Sequence, residues 1–414
     1  MTKRPTTPIR LLTAVPICDG HDSAISTINL EFIRHGIEVI YLGYHRSARD
    51  IARAAVQEDV RAIGISSYNG GHVEFFAQVV KLLREYGAHD IGVFGGGGGT
   101  ITHADAALMH KKGVNRIFFA GTPLAEMVDY VKETWGDAPP TQVSAKNHAR
   151  PDHCLGRLLT AAVMADGRSN GKKTKSPSSR APRNGDATGA RPRLVVGVCG
   201  PGGAGKTTLI DELVLRFLRA APASRVAVLS HDPSIVGSGA LLGDRAAMFY
   251  SQDDRVFMRS LATGGRAGGL SPATERCLQI LKHDPDGKGF DVVLVETVGI
   301  GQEAVPFAPG VVDKTIFVMS PEYGSRLQLQ KIAMLDAADI AVVNKSDLAA
   351  AKTASNEVEQ RLALNQRGQK LLATVAKRHR DAGVDALFDV LKGTVPDEVA
   401  TVRACRVGGD VTCV

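Results

Sequence analysis

The chain has 414 residues, 44% of them hydrophobic and 5% aromatic, with 50 basic against 43 acidic side chains and a net charge of +7. That length allows two or three domains with full cores, and the balance excludes a disordered or collagen-like chain. Six cysteines, at 18, 154, 199, 277, 405 and 413, contain no pair at the two-residue spacing of metal or redox sites, so a cytoplasmic setting is expected.

Apolar runs of strand length occur at residues 9–17, 38–42, 62–66, 91–94 and 116–119, and amphipathic stretches of helical length alternate with them. Lys3 and Arg4 ahead of the first run mimic a signal peptide, but the run is short and Pro16 interrupts it, so no membrane association is expected. Five βα units over residues 1–140 predict a doubly wound parallel sheet of flavodoxin-like order, whose ligands bind beyond the carboxyl ends of the strands. Three features fall at those ends: Asp19-Gly20-His21, Ser66 with Ser67 and Tyr68, and the glycines from Gly95 and Gly96 to Gly99. A histidine two residues from an aspartate can donate one ring N–H to the carboxylate and offer its other nitrogen to a metal. A solvated or core histidine is the alternative reading of His21, and solvent is the default for His72 in Asn69-Gly70-Gly71-His72.

Residues 141–192 are expected to be a flexible basic linker. Between 166 and 193, eight basic residues stand against two acids among Ser, Gly, Pro and Asn, with no hydrophobic period. Concentrating the positive charge there leaves the folded parts without a basic face, so nucleic acid is not an expected partner.

The span 193–395 opens on an apolar run at 194–199 that breaks into Gly200-Pro201-Gly202-Gly203-Ala204-Gly205-Lys206-Thr207-Thr208. A strand that turns through glycines into a helix leaves backbone N–H groups facing outward, where the helix dipole also favours negative charge. This is the pattern of a nucleotide-binding P-loop: Lys206 can reach the β/γ oxygens and the Thr207 hydroxyl can hold Mg²⁺. A second strand-like run, 226–230, leads into His231-Asp232-Pro233-Ser234, with Gly243-Asp244-Arg245 beyond it. Carboxylates such as Asp232 and Asp244 suit Mg²⁺, which takes few protein oxygens. A third run ends in Glu296-Thr297-Val298-Gly299-Ile300-Gly301-Gln302. Glu296 stands where a metal-shell carboxylate is needed, and the place of a water-orienting glutamine holds apolar Ile300. Gln302 either replaces that glutamine or is a surface loop residue, and slow GTP hydrolysis is expected. After the run 340–343 come Asn344-Lys345-Ser346-Asp347, and the Asp347 carboxylate can accept the two N–H bonds that guanine offers and adenine does not, so GTP is the expected substrate.

The P-loop, Asp-Pro-Ser, Leu-Leu-Gly-Asp-Arg, Glu-Thr-Val-Gly-Ile-Gly-Gln and Asn-Lys-Ser-Asp, in that order, resemble the GTPases that chaperone cobalamin-dependent acyl-CoA mutases. Segments 320–324 and 330–332 are also similar to that family, and Thr374-Val375-Ala376 occupies the place of its last nucleotide loop, implying that the backbone at Thr374 and Ala376 meets the guanine oxygen. The first third is similar to the cobalamin-binding domain of the mutases, with Ala24 and Tyr68 standing where its signature has glycine and leucine. That likeness implies adenosylcobalamin as cofactor, His21 as cobalt ligand, Asp19 behind it, Ser66 bonded to the nucleotide tail, and Gly95 and Gly96 at its close backbone approach.

Cofactor module before GTPase is the order of the fused isobutyryl-CoA mutases. The resemblance therefore implies a GTPase that loads or protects adenosylcobalamin for a mutase barrel on a separate subunit, and a homo-oligomeric assembly. The barrel itself is expected to be absent here, because about 250 residues are needed for one and only a short stretch follows Lys392. Residues 396–414 read as a tail. The alternatives are the small cobalamin-carrying subunit of a mutase, or a corrinoid carrier or sensor with a weak GTPase.

Overall fold

The computed structural model describes residues 8–17, 23–136, 151–167, 194–234, 238–265, 268–283, 289–299, 306–323 and 332–393. Five strands, β1 (Arg10–Ala14), β2 (Glu38–Tyr41), β3 (Ala62–Ser66), β4 (Gly92–Gly96) and β5 (Arg116–Phe118), pair in parallel in the order 5-4-3-1-2. This is the flavodoxin-like order that the alternating runs predict. The runs are continuously apolar because both faces of the sheet are covered. On one face Leu12, Ala14, Ile63 and Ile65 pack under α2 (Ala48–Gln57) and α3 (His72–Glu85). On the other, Leu11, Val39 and Phe94 meet Phe32 of α1 (Ser23–Arg34) and Val128 and Trp135 of α5 (Leu124–Trp135). Capping boxes start α2 at Ser47 and Asp50, and α4 (His103–Lys111) at Thr102 and Asp105.

The second sheet contains β6 (Leu194–Cys199), β7 (Val226–Asp232), β9 (Val256–Ala262), β10 (Val292–Glu296), β11 (Lys314–Met319), β12 (Ile340–Val343) and β13 (Lys370–Ala373), in the all-parallel order 13-12-11-6-10-7-9. The strand β8 (Ala240–Leu242), although it lies between β7 and β9 in the chain, is not part of it. It pairs with β2 and becomes the sixth strand of the first sheet, with Val39 opposite Leu241. Two elements thus depart from a division into self-contained halves.

The other departure is α6 (Pro151–Gly167), which falls inside the stretch expected to be a flexible linker. Leu155, Leu159 and Ala162 recur at helical spacing and are buried against Val195, Leu229 and Phe257 of the second sheet. Gly156 crosses the end of α2 so closely that a Cβ would stand 2.7 Å from the Val56 carbonyl oxygen. The basic composition downstream masks this short apolar period. The rest of the expected linker and the tail lie outside the described residues.

Each sheet also closes the other's open edge. Among the described residues no strand pairs with the outer side of β9; its backbone is met by side chains of the first half instead. Gln57 Nε2 donates to the Val256 oxygen at 3.0 Å, Gln57 Oε1 accepts from the Met258 N–H at 3.3 Å, Glu58 accepts from the Ser260 N–H at 3.1 Å, and Arg10 donates to the Ser260 oxygen at 3.2 Å. Among the described residues no helix is long and apolar enough to cross a membrane.

Candidate functional site

The carboxyl ends of β6, β7, β10 and β12 bring the second half's motif residues to one rim. Gly200 to Gly205 join β6 to α7 (Lys206–Ala220). Gly205 has φ 87°, and its missing Cβ leaves room for the Asn344 amide, which a side chain would meet at 2.4 Å. Gly200 likewise lies against the Val318 oxygen, whereas Gly203, at φ 72°, has nothing within 4 Å of a Cβ position. Gly202 and Gly203 are exposed while Pro201, Ala204 and Lys206 are buried, so the middle of the loop stands outward on a rigid base, with the Gly202 N–H donating to the Gly299 oxygen at 2.8 Å. Lys206 is 7% exposed and donates to the Gly200 and Pro201 oxygens at 3.2 Å, lying across the loop. Burial pulls its ammonium below the usual range, and the charges of Glu296 and Asp244 pull it back. Thr208, one turn into the helix, is exposed.

Beside the loop stand three carboxylates. Thr207 Oγ1 donates to Glu296 Oε1 at 2.7 Å, and the Ser230 hydroxyl donates to Asp244 and, at 3.5 Å, to Glu296 Oε2. Burial, then the charge of Asp244, pushes both Asp232 and Glu296 up to about 8, and burial raises Asp244 as well. Asp232 Oδ2 is buried with no hydrogen-bond partner. Acids held this way, with an orphaned oxygen and a threonine hydroxyl alongside, fit a divalent cation, which would stabilise all three as anions. Among the described residues no three such groups close on a single point. Mg²⁺ does not need that, since it keeps waters and substrate phosphates among its ligands. The residues that fit it are Thr207, Asp232, Asp244 and Glu296.

His231 is buried and neutral, pushed down to about 4 by burial, with its Nδ1 2.7 Å from the Glu296 carbonyl oxygen. It holds β7 and β10 in step just below the acids. Ser230 and His231 carry no recognisable motif beyond being polar at the end of an apolar strand, and sequence reasoning gave them no role.

On the other side of the loop, Asn344 Nδ2 donates to the Ala204 oxygen at 2.8 Å, and Asn344 Oδ1 accepts from Thr374 Oγ1 and the Ala376 N–H at 3.0 Å. One amide therefore ties the phosphate loop to the loop after β13. Lys345 takes a left-handed φ of 57°, and the Asp347 carboxylate stands at the rim paired with Lys377 Nζ at 2.5 Å, a bond that holds it below the usual carboxylate range. Lys377 was not foreseen; a cation three residues after Thr374 has no signal of its own. Gln302 lies outside the described residues.

At the corresponding rim of the first sheet, Asp19 and His21 lie outside the described residues, so their expected contact with cobalt stays an expectation. Ser66 ends β3, half-buried. A Cβ on Gly95 would meet the Ile65 oxygen at 2.2 Å and the Phe76 ring at 2.6 Å, and one on Gly96 the Phe118 oxygen at 2.6 Å, so the protein's own packing already demands both glycines. Tyr68 turns outward, 45% exposed, over Gly98, and Ala24 is exposed. His72 is not solvated as expected: it is buried, its Nε2 3.4 Å from Asp105 Oδ2 and its Nδ1 without a partner.

Comparison with known proteins gives two family matches on this chain. The family described as "Methylmalonyl Co-A mutase-associated GTPase MeaB" matches residues 181–397, and "B12 binding domain" matches residues 9–126. Similar proteins include the fused isobutyryl-CoA mutases of Geobacillus kaustophilus, 35% identical over 96% of this chain and 37% of that one, and Cupriavidus metallidurans, 37% identical over 94% and 36%. The 2-hydroxyisobutanoyl-CoA mutase small subunit of Aquincola tertiaricarbonis is 36% identical over 30% of this chain and 91% of its own. The chain thus spans little more than a third of the length of the fused relatives.

Proposed function

The chain belongs to the methylmalonyl-CoA mutase-associated GTPase family and carries a B12-binding domain ahead of the GTPase part; from that premise we propose that it binds and hydrolyses GTP to load or protect adenosylcobalamin for an acyl-CoA mutase. The observation that carries the reading is the single rim on which the exposed loop at Gly202 and Gly203, Lys206, the Thr207–Glu296 bond and the Asn344 tie all meet. In this reading the backbone of the exposed loop and the helix dipole hold the phosphates, the Gly202 N–H leaving the Gly299 oxygen to do so. Lys206 leaves its two carbonyl partners for the β/γ oxygens, where charge develops in the transition state. Mg²⁺, held by Thr207 with Asp232, Asp244 or Glu296, neutralises the same oxygens when bound. Asp347 exchanges Lys377 for the guanine edge, and Thr374 and Ala376 line the base. Gln302 is the candidate for orienting water. In the first half, His21 with Asp19 behind it is the candidate cobalt ligand, and Ser66, Gly95 and Gly96 flank the tail.

The partner in this proposal is a mutase barrel subunit. A second reading, the cofactor-carrying small subunit of a two-part mutase, is favoured by the small-subunit relative, whose length is almost fully matched. Titration of the whole chain with GTP, ATP and adenosylcobalamin separates them. The chaperone reading expects guanine-selective binding with multiple turnover, together with a bound cobalamin whose nitrogen-ligated spectrum becomes base-off in His21→Ala. Cobalamin binding without any GTP turnover would leave only the small-subunit or carrier role.

A further inference from the structure

The segment that carries Asp244 belongs to the second half by sequence and to the first half by packing. Gly239 donates its N–H to the Ile33 oxygen at 2.9 Å, and a Cβ there would stand 2.0 Å from the Ile37 oxygen. Only glycine lets β8 approach β2 this closely. Ala240 and Leu242 then bury themselves in the core of the first sheet with Leu12, Ile40 and Ile63. Arg46 donates to the Ala246 oxygen at 2.8 Å. Arg245, 3% exposed, donates its Nε to Glu58 at 3.2 Å and its Nη2 to Gln57 at 2.9 Å. Glu58 is wholly buried and also binds Arg10 at 2.8 Å and Ser260 at 3.1 Å, so its carboxylate is fixed from both halves. Between these anchors the Asp244 side chain turns back across the boundary to the Ser230 hydroxyl, toward Glu296 and Thr207.

We propose that Gly239 and Glu58, neither of which reaches the nucleotide rim, are positioning residues for Asp244, so that the first half sets how tightly the GTPase site holds its divalent cation. The proposal rests on the GTPase reading above. The geometry is that of a strap: β8 is registered on β2, Arg245 is clamped by Glu58, and the residue between them is the acid. Moving either anchor shifts Asp244 without touching the phosphate loop, Asn344 or Asp347.

The test uses the full chain with Gly239→Val, which forces β8 off the edge, and Glu58→Gln, which keeps the shape of the clamp and removes its charge. A fluorescent GDP analogue is loaded, and its retention is followed against Mg²⁺ concentration and, separately, in excess chelator. Amide hydrogen exchange is read at 240–247. The expected result is faster exchange there, an increase of about tenfold or more in the Mg²⁺ concentration for half-maximal retention, a lower kcat, and unchanged GDP affinity in chelator. Faster exchange with an unmoved Mg²⁺ midpoint overturns the proposal, as does unmoved exchange in both variants. Should Gly239→Val fail to accumulate, Glu58→Gln decides the question by the same readouts. Wild-type protein with no Mg²⁺-dependent retention at all would instead count against the GTPase reading.

Discussion

Glycines at the two sheet rims look alike in sequence, and Gly203 at one does the opposite of Gly95, Gly96 and Gly97 at the other. After β6, Gly203 has open space where a side chain would be and stands exposed with Gly202. At the end of β4, Gly95, Gly96 and Gly97 are filled from behind by the oxygens of Ile65, Phe118 and Ser67. The first arrangement leaves the middle of the loop open to a guest; the second removes bulk so that neighbouring strands and α3 can touch. A glycine run is therefore informative only once the direction of its missing Cβ is known.

The sharpest way to break this contrast is at the open rim. Lys206→Ala should lower GTP turnover by about 10²–10³-fold with the fold intact, because a donor aimed at developing charge is lost; single-turnover kinetics and circular dichroism check both halves of that statement. The guanine side should respond less. Asp347→Ala is expected to cost about 10–100-fold in preference for GTP over ATP, the worth of hydrogen bonds to a charged acceptor, read from competition binding. At the filled rim the effect should be on stability: Gly95→Val is expected to destabilise by about 1–3 kcal/mol through overpacking, seen as a lower urea midpoint. Gly203→Ala should cost only about 1 kcal/mol, from its left-handed backbone. Equal losses at the two positions would erase the distinction.

The smallest expected effect is a pH slope. Asp211 accepts the N–H groups of Phe249 and Tyr250 at 3.0 and 2.9 Å, and burial pushes it up to about 6. Its ordinary value is about 3.9, so between these values the folded state binds more protons than the unfolded one. Stability from this group is then greatest below about pH 4 and falls as pH rises to about 6. Asp211→Asn should flatten that part of the stability profile, measured by urea unfolding at several pH values.

Most of the frame was legible because buried parallel strands are continuous apolar runs. β1 to β7, β10 and β12 lie where those runs are, and the P-loop, Glu296 and Asn344 were placed by their strand ends. β11 and β13, which both open on a lysine, escaped, and so did elements that depend on the other half. β8 is three residues, too short for any period, and exists because β2 offers an edge. β9 is interrupted by Arg259, a charge tolerable in a strand only because Arg259 donates to the Glu58 backbone oxygen and to Thr160. α6 was hidden by the basic stretch after it, and the role of Ser230 by the absence of any motif.

The mutual edge protection has a consequence for anyone who would divide this protein. A fragment ending before β6 would lose β8 and bare the backbone of β2, while one starting at β6 would bare β9 together with Arg245 and Arg259, buried cations deprived of Glu58. Exposed edges pair with whatever strand they meet, so both pieces should self-associate or precipitate when expressed alone and recover solubility when co-expressed.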